Sequence, residues 1–264
     1  MRVLVLIKQV PDSTTNIKIR SDGMDIDRAG VKMVLDPFSE FAIEQAVQFK
    51  EKRSDVESVT AMIMAPAHGS EAMRTALAVG ADQGIHLQDE AFDNLDELQA
   101  AAVLATVIKT GGYDLVLAGK QEIDLDSGQI GPALAEALDW PHVGAATKLE
   151  IADDGKSLVA YRRIEGAEEQ VHVKLPALIT ADKGLCEMRY PSLPNLMKAK
   201  KKPVKTMSSD DLPAFTELVA GVGGTQMNRF APPPARPPGK ILKGEIEKTV
   251  PELVRLLREE AKAI

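Results

Sequence analysis

The feature that most constrains this chain is an alternation. From residue 3 to residue 138, short aliphatic and β-branched runs take turns with stretches of helical periodicity. Residues 3–7 form an unbroken apolar run, as in a central parallel strand buried on both faces. Asp36-Pro37 then reads as a helix start, Asp as N-cap and Pro at the first helical position. Phe38, Phe41, Ala42, Ile43, Ala46, Val47 and Phe49 give that helix a broad apolar stripe. Next come a strand over 56–64, a helix over 70–79 with Met73, Ala76 and Leu77 inward and Gly80 as its stop, and a short strand over 84–87. A helix over 96–110 follows, with Leu98, Ala101, Leu104, Ala105 and Ile108 on one side. A strand over 113–118 and a helix over 127–138 complete the series. Such spacing predicts a doubly wound, Rossmann-like parallel sheet with crossover helices on both faces.

Two departures frame this α/β region. Between the first strand and the first helix, residues 17–20 and 24–27 alternate around Ser21-Asp22-Gly23, which predicts a small hairpin. After Pro141, residues 143–151, 157–164 and 170–173 predict an added antiparallel segment, with Asp153-Asp154-Gly155 as its first turn. Residues 178–181 read as one more strand, 182–203 as a loop, and the remainder as irregular until a helix over 249–263 carrying Leu253, Leu256 and Leu257. The expected division is an α/β domain over 1–205 and a C-terminal arm over 206–264. A tail with Pro232-Pro233-Pro234 ahead of an amphipathic helix buries little by itself. It lies either across a partner subunit or on its own domain.

Composition narrows the function. The formal net charge of −7 disfavours nonspecific nucleic-acid binding. One cysteine excludes an internal disulfide and any CxxC site, and His68, His86, His142 and His172 lack metal-ligand spacing. No run reaches the ~20 apolar residues of a membrane span, and the start lacks a signal-peptide pattern. The expected home is cytoplasmic, of the bacterial type, or else an organelle matrix, without membrane insertion. There is no GxGxxG after the first strand, no GxxxxGK[ST], and no catalytic set of Ser/His/Asp or paired carboxylates, so the residues point to a binding protein rather than an enzyme.

Two segments could carry chemistry. Residues 119–133 follow a buried strand and open a helix, the usual place of a ligand crevice in an open α/β sheet. Ser127, Gly128, Gln129 and Ile130 can offer backbone N–H groups to a phosphate, with Ser127 and Gln129 adding side-chain donors. Asp124 and Asp126 oppose an anion unless they cap backbone or bind a ribose. A capped loop without ligand is the alternative. Residues 189–203 display Leu193 on a Pro-fixed turn ahead of Lys198, Lys200, Lys201 and Lys202. They form either a docking plug with a steering charge row or a solvated surface loop.

Together these segments resemble the β subunits of electron transfer flavoproteins, nearly end to end. The strings are V-L-V-L-I-K-Q-V-P-D (3–12), D-P-F-S-E (36–40), R-T-A-L-A-V-G-A-D (74–82), L-A-G-K-Q-E-I-D-L-D (117–126), L-D-W-P (138–141), L-P-A-L-I-T-A-D (175–182) and R-Y-P-S-L-P-N-L-M-K-A-K-K-K (189–202). The resemblance implies a fold of the adenine nucleotide alpha hydrolase kind in an obligate αβ heterodimer. FAD is held mainly by the α subunit, and AMP sits structurally in β. Electrons come from acyl-CoA dehydrogenases or similar flavin dehydrogenases and pass to a quinone oxidoreductase or another acceptor.

Carried over by position, the nucleotide contacts fall on Leu6, Asp36, Pro37, Phe38, Ser39, Met64, Gly119, Lys120, Gln121, Ile123, Asp124, Asp126, Ser127, Gly128, Gln129 and Ile130. Phe38 falls where an aromatic approaches the flavin of α. Partner contacts fall on Leu193 as the anchor, with Tyr190, Pro194 and Met197, in a recognition loop over about 182–205. A cross-subunit acid of some relatives is Arg163 here, with Glu165 beside it. The string D-L-D-S-G-Q-I-G-P (124–132) also resembles the electron-bifurcating branch, in which a second FAD replaces AMP, although Leu125 stands where that branch has glycine. A rival of another class is a stand-alone nucleotide-sensing module like a universal stress protein.

Overall fold

The computed structural model describes all residues, Met1–Ile264, in two compact units, Met1–Arg229 and Phe230–Ile264. The first is built on β1 (Arg2–Leu6), β2 (Gln9–Pro11), β3 (Met33–Leu35), α1 (Pro37–Lys52), β4 (Ser58–Met64), α2 (Ser70–Val79), β5 (Gln83–Leu87), α3 (Glu97–Gly111), β6 (Leu115–Gly119) and α4 (Ile130–Leu138). It continues through β7 (His142–Ile151), β8 (Ser157–Ile164), β9 (Ala167–Lys174), β10 (Ala177–Ala181), α5 (Leu193–Ala199), β11 (Val204–Met207) and α6 (Phe215–Ala220). One nine-stranded sheet runs β11-β5-β4-β1-β6-β10-β7-β8-β9. Every neighbouring pair from β11 to β7 is parallel; β8 and β9 extend the sheet antiparallel.

The two faces follow from side-chain alternation along β1. Val3 and Val5 point into a core completed by Ala42, Ile43 and Ala46 of α1 and Ala72, Ala76 and Leu77 of α2. Leu4 and Leu6 point into the other, with Leu104 and Ile108 of α3 and Leu134 of α4. Both faces are covered, which is why β1 reads as continuous rather than alternating. The chain leaves β1 toward β4 and β5, then returns to place β6 on the other side. The strand order therefore reverses between β1 and β6, opening a crevice at their C-terminal ends.

Local signals explain most boundaries. Asp36 caps α1 through Ser39 N–H at 3.0 Å, with Pro37 in the first turn. Gly80 follows α2, and α3 opens with a capping box of Asp96 and Gln99 and closes on left-handed Gly112.

Several expectations are corrected. Leu98 is half exposed, because it sits in the first turn of α3 on the solvent side. The helix expected from residue 127 begins at Ile130: Gly128 is left-handed at φ +62°, which no helix interior tolerates. The hairpin near residue 20 reduces to one bridge, Ile19 to Ile26. The added antiparallel segment stands as expected, joined to the main sheet because β10 inserts between β6 and β7. The loop expected over 182–203 contains α5, started by the Ser192 cap and Pro194. In the first compact unit, which runs to Arg229, β11 pairs with β5 and α6 packs on α3.

The second unit has no regular structure before α7 (Ile246–Glu259). Arg255 bonds Glu252 and Glu259 on one side of α7. Ile246, Val250 and Leu253 lie exposed on another, at helical spacing.

Candidate functional site at the strand-end crevice

The crevice is framed by the end of β1, the start of α1 and the loop joining β6 to α4. Asp36 ties these pieces together. It is 1% exposed. Its Oδ2 accepts Ser39 N–H at 3.0 Å and its Oδ1 accepts Ile123 N–H at 3.1 Å, so one carboxylate both caps α1 and pins the β6–α4 loop. Burial pushes its pKa above the ordinary value, against those backbone donors. Its own N–H donates to Lys8 O at 2.9 Å, and Lys8 N–H donates to Ser39 Oγ at 3.2 Å, closing the frame onto β1.

The loop acids are used within the chain. Asp124 accepts Lys8 Nζ at 3.0 Å and Leu125 N–H at 2.9 Å. Asp126, itself left-handed at φ +56°, accepts the Gln121 amide. The tension between these carboxylates and an anion is thereby relieved: one is neutralised by lysine and both hold the loop's shape. Lys120 forms an ion pair with Asp182 at 2.9 Å, and its ammonium lies 5.2 Å above the Phe38 ring. A Cβ on Gly119 would stand 2.8 Å from that of Phe38, so the loop passes Phe38 as closely as glycine permits.

The donors are what remain. The backbone N–H groups of Ser127, Gly128, Gln129 and Ile130 find no acceptor within the chain, and Pro132 contributes none to the first turn of α4. Four consecutive free donors at a helix start suit an anion. The Ser127 hydroxyl does not join them, contrary to expectation: it lies against the carboxylates of Glu97 and Glu122, the latter 7% exposed. Gln129 is exposed and keeps its amide free.

The expected contacts thus separate by depth. Leu6, Asp36 and Ser39 are buried and form the floor and brace. Pro37, Phe38 and Met64 are half-buried; Met64 closes β4 on the same side of the sheet. Gly119, Lys120, Gln121, Gly128 and Ile130 are half-buried on the loop, and Ile123, Asp124, Asp126 and Gln129 line its exposed rim. Glu97 was not anticipated, and no local signal marks it, since its role depends on α3 lying beside the loop.

The expected docking residues lie away from the crevice. Tyr190 is 97% exposed, Leu193 78% and Met197 64%, a continuous apolar display at the start of α5. Its root is rigid: Arg189 makes paired bonds to Glu44 (2.7 and 2.9 Å) and to Glu51 (2.6 and 2.7 Å), both on α1. Cys186 nearby is inert as a nucleophile, burial pushing its thiol up to about 12. Arg163 and Glu165 stand exposed at the β8–β9 turn; Arg163 has no ion-pair partner, while neighbouring Arg162 pairs with Glu169 at 2.5 Å.

Residues 23–212 match the family model described as "Electron transfer flavoprotein domain". The chain is 41% identical over 266 residues to the electron transfer flavoprotein subunit beta of Bacillus subtilis, covering all of both chains. It is 43% identical over 214 residues to the human subunit of that name, covering 80% of this chain and 83% of the human one. Against the pig subunit the figures are 39% over 261 residues, 98% and 97%.

Proposed function

We propose a function from one premise that these matches establish: the chain belongs to the electron transfer flavoprotein family. In this reading it is the β subunit of a heterodimeric electron carrier. It assembles with an α subunit that holds FAD, receives electrons from an acyl-CoA dehydrogenase or similar flavin dehydrogenase, and passes them to a quinone oxidoreductase or another acceptor. The FAD supplies the redox chemistry when bound. This chain contributes no catalytic residue of its own; it binds, orients and docks.

The crevice holds AMP as a structural ligand. What carries this is the row of free N–H groups at Ser127–Ile130, at the point where the strand order reverses. They would take the phosphate, while the Asp36 brace keeps the loop against α1. Phe38, held under Lys120, is the aromatic this chain offers toward the flavin of α. The exposed Leu193 is the anchor for the dehydrogenase, with Tyr190, Pro194 and Met197 around it. Arg163, unpaired at the β8–β9 turn, meets an acid on α. The uncovered apolar stripe of α7 packs on α as well.

Four donors in a row also suit a diphosphate, which supports a second reading: an electron-bifurcating β subunit with its own FAD in the crevice. Against it, Leu125 carries a side chain where that branch has glycine. Heat release of bound nucleotides from the purified heterodimer separates the two. One flavin with one AMP per heterodimer is expected. Two flavins would transfer the protein to the bifurcating class, and a heterodimer with no nucleotide beyond the α flavin would remove the crevice from the account.

A further inference from the structure

A second concavity lies apart from the crevice, where α5 crosses the C-terminal turns of α1 and α2. It encloses about 350 Å³. The last turn of α2 and Val47 form the floor, and Lys50, Glu51, Arg189, Asn195, Lys198 and Lys202 form the wall.

The wall charges are unequally matched. Arg189 is saturated by Glu44 and Glu51, and Lys50 is paired with Asp82. Lys202 has no carboxylate: its ammonium donates to the carbonyls of Leu77 (2.8 Å) and Ala81 (2.6 Å), which fixes a positive charge at the wall and leaves one of its three N–H groups free. Lys198, four residues away, has no ion-pair partner at all. Burial, together with repulsion from Lys50 and Lys198, holds the Lys202 ammonium below the usual lysine range, although Asp82 pulls the other way. A solvated lysine row would leave each charge mobile. Here one is anchored by backbone, the Arg189 fork beside it is rigid, and both face a concavity with an amide donor, Asn195.

We propose that this cavity binds a small phosphate monoester, its phosphate held by Lys198, Lys202 and Asn195 and its carbon portion resting on the α2 floor. The cavity is several times larger than a phosphate ion, which leaves room beside the phosphate for the carbon portion of an ester. Such a ligand would tie α5 to α2, and so would steady the segment that displays Leu193. The site shares no residue with the crevice, so its fate is independent of the nucleotide proposed there.

The test uses the full chain, isotope-labelled and assembled with its partner subunit, in phosphate-free buffer. Inorganic phosphate and glycerol 3-phosphate are titrated separately while amide signals are followed. Saturable shifts of Asn195 and Gly80 are expected, with Gly128 unmoved and the ester binding more tightly than the free ion. Lys198→Gln should weaken binding about tenfold, as for loss of one charge-assisted bond. The Lys198 side chain makes no hydrogen bond or ion pair inside the chain, so this variant should fold normally. Absence of saturation up to ~10 mM, shifts confined to Gly128, or unchanged binding in Lys198→Gln would each overturn the proposal.

Discussion

The two ends of α1 are fastened by different chemistry, and the contrast explains how one helix serves two surfaces. At its start, Asp36 is buried and satisfied by neutral backbone donors. From its middle to its last turn, Glu44, 2% exposed, is satisfied by the full charge of Arg189, which Glu51, one residue from the helix end, shares from the solvent side. Backbone donors hold the loop in a fixed shape but do not offset the cost of burying a charge, so Asp36 carries a raised pKa. Glu51, by contrast, is bonded by the Arg189 guanidinium, which holds its carboxyl below the ordinary value. The crevice end is a shape-setting brace; the part facing α5 is an ionic rivet.

The largest effect should come from removing the rivet. Arg189→Met leaves the Glu44 carboxylate buried without its cation. Losing one partner of a buried pair costs roughly 3–5 kcal/mol, and partial solvent access to Arg189 reduces this to about 2–3 kcal/mol. Urea unfolding of the full chain would measure it. A loss under about 0.5 kcal/mol would mean that water already screens the pair and that the contrast is false.

Next in size is the brace. Asp36→Ala strips α1 of its cap and orphans the N–H groups of Ser39 and Ile123, at a cost of about 2 kcal/mol. The same variant should weaken nucleotide retention, because the β6–α4 loop loses its tie to α1; Arg189→Met should leave retention unchanged. Equal retention in both variants would show that Asp36 braces nothing relevant to the crevice.

A smaller effect sharpens the comparison by its sign. Asp36 has a raised folded pKa, so its contribution to stability is greatest below its ordinary 3.8 and is lost as pH rises through the displaced value. Glu51 has a lowered one, so its contribution is present above its ordinary 4.5 and is lost as pH falls through the depressed value. Asp36→Asn should therefore lag wild type less as pH rises from ~4 to ~7. Glu51→Gln should lag it more as pH rises from acid toward neutrality. Slopes of the same sign would end the distinction between the two carboxylates.

The brace was half visible in the sequence and the rivet was not. Asp36-Pro37 announces a capped helix by local chemistry alone, and Gly80 announces the end of α2 in the same way. That Asp36 also reaches Ile123, 87 positions later, follows only from the strand order. Arg189 and Glu44 are 145 positions apart, and nothing near either marks the pair. Lysine-rich residues 200–205 concealed β11, whose pairing with β5 lies on the sheet's edge, where apolar alternation is not required. Pro194 disguised α5 as a loop, although proline is at home in a first turn. Local signals therefore pointed to the crevice, while the anchoring of the segment that displays Leu193 depended on long-range geometry.

The smallest effect on stability is expected at Leu193, and it is the most discriminating. The side chain is 78% exposed, so Leu193→Ala removes almost no buried area and should change unfolding free energy by less than about 0.5 kcal/mol. In the docking role proposed for it, however, the same substitution should cost on the order of 2 kcal/mol in complex formation, raising the apparent KM for a flavin dehydrogenase donor about thirtyfold with little change in kcat. Arg189→Met should raise the same KM by loosening the root of the segment, but only together with its loss of stability. A Leu193 variant that destabilises the chain would place this residue in the fold rather than at an interface. One with unchanged KM would leave the rivet at Arg189 holding a surface that no donor uses.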